Sequence, residues 1–346
     1  MTAVVLAPAP ATPALAVAVV LVATGVIWVG SGWLESAAER LAAHYGLPAV
    51  VQGSVVVAVG SSFPELASVV VTALAGSFSM GVGAIVGSAV FNVLVIPGLS
   101  GVASKNGVGA DRTIVYKEAQ FYMIAVSALV ITFALAVIYF PVEGTGLNGQ
   151  LTRSLAVIPL VLYGLYLFIQ WQDVSDYDSE TPADVTGVAR TWMVLALGLG
   201  AILVGVEFLV GAVGTLNAAF GIPEFVAGVT IIAAATSLPD ALVSIRAARD
   251  GRGLTSLGNV LGSNTFDLLV AIPVGVLIVG EAMVSFAVAA PMFGVLTLAT
   301  VLLFTLLRTD LALTGPESYL LLLAYGVFVA WVVGETVGLS DLIVGV

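Results

Sequence analysis

The sequence has no cysteine, a single histidine and few charged residues. Only 9% of its 346 residues are Asp, Glu, Lys or Arg, and Lys and Arg together number 10. Without cysteine, a disulfide framework, a thiolate nucleophile and a cysteine-based zinc site are all excluded. His44 alone cannot supply a histidine metal cluster, and so few basic residues cannot form a nucleic-acid-binding surface. We therefore expect neither a histidine- or thiol-dependent enzyme nor a nucleic-acid partner.

Hydrophobic residues make up 60% of the chain, and the mean hydropathy is +1.15. This composition is far from that of a soluble domain and is typical of a polytopic membrane protein. A transmembrane helix needs about 20 mostly apolar residues, and runs such as 14–29 lack the alternation of a β-barrel strand. We predict an all-α protein with ten transmembrane helices. The predicted spans are 13–38, 48–75, 80–102, 118–141, 153–171, 191–217, 223–248, 255–278, 283–306 and 318–337.

A polar, acidic segment at 172–190 divides the spans into two groups of five. We interpret it as a cytoplasmic linker between a first five-helix repeat, 1–171, and a second, 191–346. With the N-terminus outside, every basic residue except Arg153 falls at a cytoplasmic end of a span, as the positive-inside rule requires. The sequence therefore predicts an integral protein of the cell membrane with both termini outside.

The two halves share a pair of motifs. One gapless offset aligns Ser-Ser-Phe-Pro-Glu at 61–65 with Thr-Ser-Leu-Pro-Asp at 236–240. The same offset aligns Gly-Ser-Ala-Val-Phe-Asn at 87–92 with Gly-Ser-Asn-Thr-Phe-Asp at 262–267. Because each half has an odd number of spans, the second half enters the membrane from the opposite side. Inverted repeats with polar sites between them are typical of secondary transporters.

Three carboxylates of these motifs lie inside apolar runs: Glu65, Asp240 and Asp267. An ionised side chain at the bilayer centre costs about 2.5–3.5 kcal/mol on the mildest insertion scale. No Lys or Arg lies at mid-span in the same helices, so a bound cation is the simplest counter-charge. Protonation of the carboxyl groups is the alternative, since burial favours their neutral form.

Neutral oxygens accompany these carboxylates. Pro64 and Pro239 each remove a helical hydrogen bond, which frees the carbonyls near Gly60 and Ala235 to coordinate an ion. A single serine or proline in a membrane helix is usually structural, but the duplication favours a ligand role. An oxygen-only site favours Ca²⁺, Na⁺, K⁺ or Mg²⁺ over softer metals. Other polar groups lie on the same helix face as one of these acids, or as Asn92, which aligns with Asp267. Together with Asn92 they are Ser61, Ser62, Ser88, Thr236, Ser237 and Ser263.

These motifs resemble the two α-repeats of the cation/calcium antiporters, a family that includes the sodium/calcium exchangers. The resemblance covers roughly 46–100 and 221–275, and the ten-span plan extends it along the chain. It implies a cluster of ion sites at the membrane midplane, with Glu65 and Asp240 as central Ca²⁺ ligands shared with a Na⁺ site. The serine and threonine hydroxyls would complete the shells, and Asn92 and Asp267 would close the cluster.

The residues of the motifs look more like those of the potassium-dependent branch of that family. In that branch K⁺ travels with Ca²⁺, and the position of Asp267 is associated with potassium use. Prokaryotic relatives also carry Asp at this position, so potassium co-transport is left open here. The proton/calcium branch carries Gly-Asn-x-x-Glu, whereas this chain has Gly262 where that Glu would stand, which argues against the branch.

We therefore interpret the chain as a secondary-active Na⁺/Ca²⁺ antiporter that works by alternating access, with no enzyme activity and no cofactor. Its partners would be Ca²⁺, Na⁺ and the lipid bilayer, with K⁺ and the oligomeric state left open. An H⁺-coupled or other cation/Ca²⁺ antiporter, or a Ca²⁺ channel or uniporter, would use the same carboxylates. An intramembrane aspartyl protease is disfavoured because its paired motifs are missing.

Two further expectations concern the rest of the chain. The first and sixth spans are long, apolar and poor in ligands, so we expect them to move against a static core. Other acidic residues, among them Glu35 and Glu207, are expected near span ends in contact with water or headgroups.

Overall fold

A computed structural model describes residues 9–46, 58–105, 107–143, 147–174 and 187–339. The helices, named here in chain order, are α1 (Pro13–His44), α2 (Ala58–Ser61), α3 (Phe63–Leu74), α4 (Phe78–Ala103), α5 (Ala119–Tyr139), α6 (Arg153–Val174), α7 (Val188–Phe220), α8 (Glu224–Ala227), α9 (Ala233–Thr236), α10 (Leu238–Arg249), α11 (Gly253–Phe266), α12 (Ile272–Val279), α13 (Phe286–Asp310) and α14 (Gly315–Thr336). Three π-helical segments continue or precede them, at Thr113–Glu118, Gly228–Ile232 and Asp267–Ala271. The strands are β1 (Val108–Gly109), β2 (Asn148–Thr152), β3 (Glu281–Ser285) and β4 (Ala312–Leu313).

Within the described residues, eight helical stretches are long and apolar enough to cross a membrane. The bent pair formed by Glu224–Thr236 and Leu238–Arg249 adds a ninth. Large apolar side chains on the outer helices point away from the protein; Leu21 and Leu298, for example, are 70% and 71% exposed. An apolar surface of this kind is favourable in contact with lipid and unfavourable in contact with water. The prediction of a mostly helical integral membrane protein is confirmed.

The structure departs from the predicted spans in three places. The span predicted at 283–306 begins as a helix only at Phe286, because Glu281–Ser285 forms a strand. The span predicted at 223–248 is a broken helix. The span predicted at 48–75 contains α2 and α3, while 47–57 lie outside the described residues, as do 175–186 of the predicted linker.

Two short antiparallel ribbons join the halves of the chain. Strand β2 pairs with β3, with Asn148 opposite Ser285 and Thr152 opposite Glu281. Strand β1 pairs with β4, with Val108 opposite Leu313. In each ribbon one strand comes from before the predicted linker and the other from after it. The ribbons therefore fix the two halves to each other.

Helix α4 is the buried centre of the bundle. Nearly all of its side chains are buried, and α3, α10, α13 and α14 pack around it. The larger hydrophobic core lies on one side of α4 and includes the ring pair Phe133 and Phe293. A second core forms where α1 lies along α7, around Ile27 and Ile202. This second core also includes side chains of the central helices, such as Ala67 and Met80, so it joins the long pair α1 and α7 to the bundle.

Glycine allows the helix backbones at the centre to touch. A Cβ atom on Gly87 would overlap the carbonyl oxygen of Val229 and would lie 2.8 Å from the Cβ of Ala233. A Cβ on Gly228 would overlap the carbonyl oxygen of Met80. In a lipid environment, close backbone approach through small residues is a main source of helix association. These two contacts hold α4 against the segment that leads into the broken helix.

We expect Gly87→Ala to destabilise the fold by about 1–3 kcal/mol, because the added methyl group has no space and the backbone must shift. The measurement is the apparent melting temperature of the purified protein in detergent. Gly200→Ala is the matched control, since a Cβ there meets no neighbouring atom within 4 Å. Equal melting temperatures for the two variants would contradict the close contact.

Candidate ion-binding site

Proline breaks two helices at equivalent places in the two halves. The interruptions lie at Ser62, between α2 and α3, and at Ser237, between α9 and α10. Pro64 and Pro239 stand in the first turn of the helices that follow, where a proline is well tolerated. A proline has no N–H to offer the carbonyl four residues earlier. The carbonyls released in this way are those of Gly60 and Ala235, as the sequence predicts.

The predicted ligands lie on these broken helices and on the helices that face them. Gly60 is buried and Ala235 is 5% exposed. Helices α4 and α11 supply the second motif of each half, and Asp267 begins the π-helical segment after α11. The polar members of the set are all 1% exposed or less: Ser61, Ser62, Glu65, Ser88, Asn92, Thr236, Ser237, Asp240, Ser263 and Asp267.

Hydrogen bonds join the acid of the first half to the second half. Ser237 donates to the hydroxyl oxygen of Ser88 at 2.7 Å. Both hydroxyl groups lie 3.4 Å from Oε1 of Glu65. Glu65 therefore stands at a junction of α3, α4 and the second broken helix.

Asp240, the acid of the second half, is likewise hydrogen-bonded to a residue of the other half. Asn92 donates its Nδ2 to Oδ2 of Asp240 at 3.5 Å. The hydroxyls of Ser61 and Ser263 are 3.1 Å apart. Both Asp240 and Ser61 thus contact polar groups of the opposite half. One polar cluster therefore contains both pairs of motifs.

Several oxygens in this cluster are buried and make no hydrogen bond. They are Glu65 Oε2, Asp240 Oδ1, Asn92 Oδ1, Ser62 Oγ and both carboxylate oxygens of Asp267. A buried polar atom without a partner is costly, and a buried charge more so. The ion pair of Arg252 with Asp250 is exposed and involves none of these atoms. Buried oxygens with free lone pairs are suited to hold a hard cation.

The three acids do not form one compact carboxylate cage. Glu65 and Asp240 interact electrostatically, and Asp267 interacts with both. In the part of the chain that the structure describes, however, no three acidic or histidine side chains are close enough to share one metal ion. An ion here would therefore be held by one or two carboxylates together with hydroxyl, amide and carbonyl oxygens.

The hydroxyl groups differ in how free they are. Thr236 donates to the carbonyl of Ile232 in its own helix at 3.1 Å, the local bond that serine and threonine often make in helices. Ser62 makes no short hydrogen bond, and its hydroxyl is close enough to Asp267 to interact weakly with that carboxylate. The oxygen of Thr236 still has lone pairs for an ion, but its proton is committed to the helix.

Two asparagines that the sequence reading did not select hold the cluster in place. Asn264 accepts from Asn92 at 3.0 Å and donates to the carbonyl of Ala89 at 3.1 Å and to the Tyr122 oxygen at 3.1 Å. Asn259 accepts from Ser61 at 3.5 Å. In the sequence, the one feature that marks these residues is an amide side chain inside an apolar span, within or next to the motif at 262–267.

Comparison with known proteins agrees with this geometry. A family model described as sodium/calcium exchanger protein matches residues 15–172 and 190–334. The uncharacterized membrane protein MJ0091 of Methanocaldococcus jannaschii is 30% identical over 72% of this chain and 78% of its own length. The sodium/calcium exchanger MaX1 of Methanosarcina acetivorans is 26% identical over 68% of this chain and 75% of its own.

A solved structure also matches. The sodium-calcium exchanger NCX_Mj superimposes with a TM-score of 0.63 at 25% identity, over 92% of this chain and 99% of that protein. The family model covers both motif pairs, and the structural match covers nearly the whole fold. The chain therefore belongs to the sodium/calcium exchanger protein family, within the cation/calcium antiporters.

Proposed function

We propose that this antiporter exchanges Na⁺ for Ca²⁺ by alternating access. The observation that carries the proposal is the set of buried carboxylate oxygens without a partner, on Glu65, Asp240 and Asp267, in a cluster built from both halves. Na⁺ and Ca²⁺ are the hard cations that such oxygen sites accept. The names of MaX1 and NCX_Mj, both sodium/calcium exchangers, support the choice of Na⁺ as the coupling ion.

We assign the ligands as follows. Glu65 and Asp240 are the central Ca²⁺ ligands and also contribute to a Na⁺ site. Asn92 and Asp267 close the cluster. The hydroxyl and carbonyl groups that complete the ion shells are those of Ser61, Ser62, Ser88, Thr236, Ser237, Ser263, Gly60 and Ala235.

Coupling follows from charge. One Ca²⁺ or several Na⁺ neutralise the same carboxylates, whereas an empty cluster leaves negative charge inside the membrane. The empty protein therefore resists crossing between its two access states, and an ion must travel in each direction. No covalent chemistry is required, because the only work is the replacement of one set of cations by another.

The proposed architecture is the ten-span, inverted-repeat plan, with repeats at 1–171 and 191–346, a cytoplasmic linker at 172–190 and both termini outside the cell membrane. The helices α1 and α7 are the proposed moving part. They pack along each other over their length and contribute none of the assigned ligands. Gly30 and Gly198 permit this contact, since a Cβ on either would press into the other helix.

The test is Ca²⁺ uptake into liposomes that contain the purified protein and are loaded with Na⁺. We expect uptake that requires internal Na⁺. Glu65→Gln and Asp240→Asn should each reduce uptake to the level of protein-free liposomes, because each removes a charged ligand while preserving size. Glu143→Gln, at an exposed position after α5, is the matched control and should transport normally.

Other outcomes of this assay identify the alternatives. Uptake that is independent of internal Na⁺, and that follows the Ca²⁺ gradient alone, would indicate a channel or uniporter. Uptake driven by an internal acid load in the absence of Na⁺ would indicate an H⁺-coupled antiporter. Full uptake by Glu65→Gln would contradict the assigned site in either case.

Potassium co-transport is the second candidate, and it is favoured by Asp267. Both of its carboxylate oxygens are buried without a partner, so this residue has capacity for an additional cation. The equivalent position of the first half is the neutral Asn92. The two halves therefore differ by one charge at this position.

We expect K⁺ on the Ca²⁺ side to stimulate uptake, and Asp267→Asn to remove that stimulation while Na⁺-dependent exchange persists. The substitution makes this position equal to its counterpart Asn92, so the overall geometry should be retained. The measurement is the initial rate of Ca²⁺ uptake with K⁺ or with choline outside. Equal rates of the unmodified protein in both solutions would exclude potassium co-transport.

A further inference from the structure

Glu35 does not lie where the sequence suggests. It was expected near a span end, in contact with water or headgroups, but it lies on α1 beside the break in the second predicted span. A Cβ atom placed on Gly60 would be 3.8 Å from Cγ and 3.9 Å from Cα of Glu35. The side chain is half-buried, and its Oε1 is buried without a hydrogen bond. Glu35, with one unpartnered carboxylate oxygen, therefore packs against Gly60, the residue whose carbonyl Pro64 releases.

The electrostatic surroundings of Glu35 are negative. It interacts with Asp240 of the central cluster and with Glu39 one turn further along α1. Asp240 is itself fully buried and has an unpartnered oxygen, Oδ1. Two acids that repel each other thus each have an unpartnered oxygen, and in the described structure no ion pair joins either of them to a basic side chain. A bound cation relieves the repulsion between two such acids when both are ionised, and protonation of one of them is the alternative.

Ser31 adds a third free oxygen. It is 0% exposed, and its hydroxyl has no hydrogen-bond partner. It lies four residues before Glu35, which places the two side chains on one face of α1. Ser61 and Glu65 of the central cluster have the same spacing. The helix α1 therefore carries its own serine–glutamate pair next to the site.

This pair exists in one half only. The offset that aligns the motifs places Val206 opposite Ser31 and Val210 opposite Glu35, while Gly205 matches Gly30. The corresponding face of α7 therefore offers only apolar side chains at these positions. Any ion position formed by Glu35 is present at one end of the central cluster and absent at the other.

We propose that Ser31, Glu35 and the Gly60 carbonyl form an accessory cation subsite for Na⁺ or Ca²⁺, between α1 and the central cluster. The proposal rests on the proposed exchange function and extends its site to the moving helix pair. An ion held there is shared with Asp240 and links α1 to the core. Because the second half lacks the pair, the subsite serves ions that enter or leave on one side of the membrane.

The first test uses the absence of native cysteine, because Glu35→Cys then introduces the only thiol in the chain. A thiolate is a soft ligand that prefers Cd²⁺ over Na⁺ or Ca²⁺, so the variant should bind Cd²⁺ at least about tenfold more tightly than a variant with an isolated surface thiol. Binding is followed in the purified full-length protein by the ultraviolet absorption of the thiolate–Cd²⁺ bond. Glu39→Cys is the matched control, since Glu39 is exposed on the same helix.

This binding measurement does not depend on transport, so it separates the two proposals. Tight Cd²⁺ binding by Glu35→Cys that is weakened by Ser31→Ala supports the subsite even if no Na⁺-dependent uptake is found. Equal Cd²⁺ affinity for the Glu35 and Glu39 variants overturns the subsite even if exchange is confirmed. If Glu35→Cys fails to fold, the second test decides.

The second test measures uptake with Glu35→Gln, which preserves the shape of the side chain. We expect exchange to persist, with the Ca²⁺ or Na⁺ concentration for half-maximal rate raised about tenfold at one membrane face and unchanged at the other. Glu39→Gln should match the unmodified protein at both faces. No change at either face, or an equal change at both, would show that Glu35 is not a one-sided ion position.

Discussion

The structure depends on the need to keep unpartnered carboxylate oxygens inside an apolar bundle. Glu65, Asp240 and Asp267 are each buried within the protein, and no ion pair with a basic side chain neutralises them among the residues that the structure describes. Such a set is stable only when something else balances the charge. A transporter can use this instability, because a cluster that requires a cation in order to be buried also requires a cation in order to move. In the proposed mechanism, the same property that weakens the empty fold would couple the exchange of ions.

The backbone is arranged around this requirement. The prolines at 64 and 239 break two helices so that carbonyl groups become available, and the broken ends face α4 and α11 across the centre. Gly87 and Gly228 let the backbones touch at the neighbouring crossing. Hydrogen bonds between halves, such as that from Ser237 to Ser88, then fix the hydroxyl groups beside the acids. Sequence motif, helix break and close packing thus serve one polar cluster.

Much of this could be predicted from the sequence, because repeated motifs and apolar spans are local signals. The candidate ligands on 61–65, 87–92, 236–240 and 262–267 are buried, and most of them are joined by hydrogen bonds. The amides of Asn259 and Asn264 and the carboxylate of Glu35 could not be selected in the same way. Their roles depend on which helix they face, and that is a tertiary property. The strand at Glu281–Ser285 was missed for the same reason, since its partner β2 lies far away in the sequence.

The two ribbons have a mechanical consequence. The pairing of β1 with β4 and of β2 with β3 joins the halves of the chain at two separate points. A motion in which the two halves rock as rigid lobes would have to tear these ladders apart. The ribbons include neither α1 nor α7, which make more contacts with each other than with any other element. If α1 and α7 are the moving part, as proposed, the joined halves would act as the fixed frame against which the pair slides.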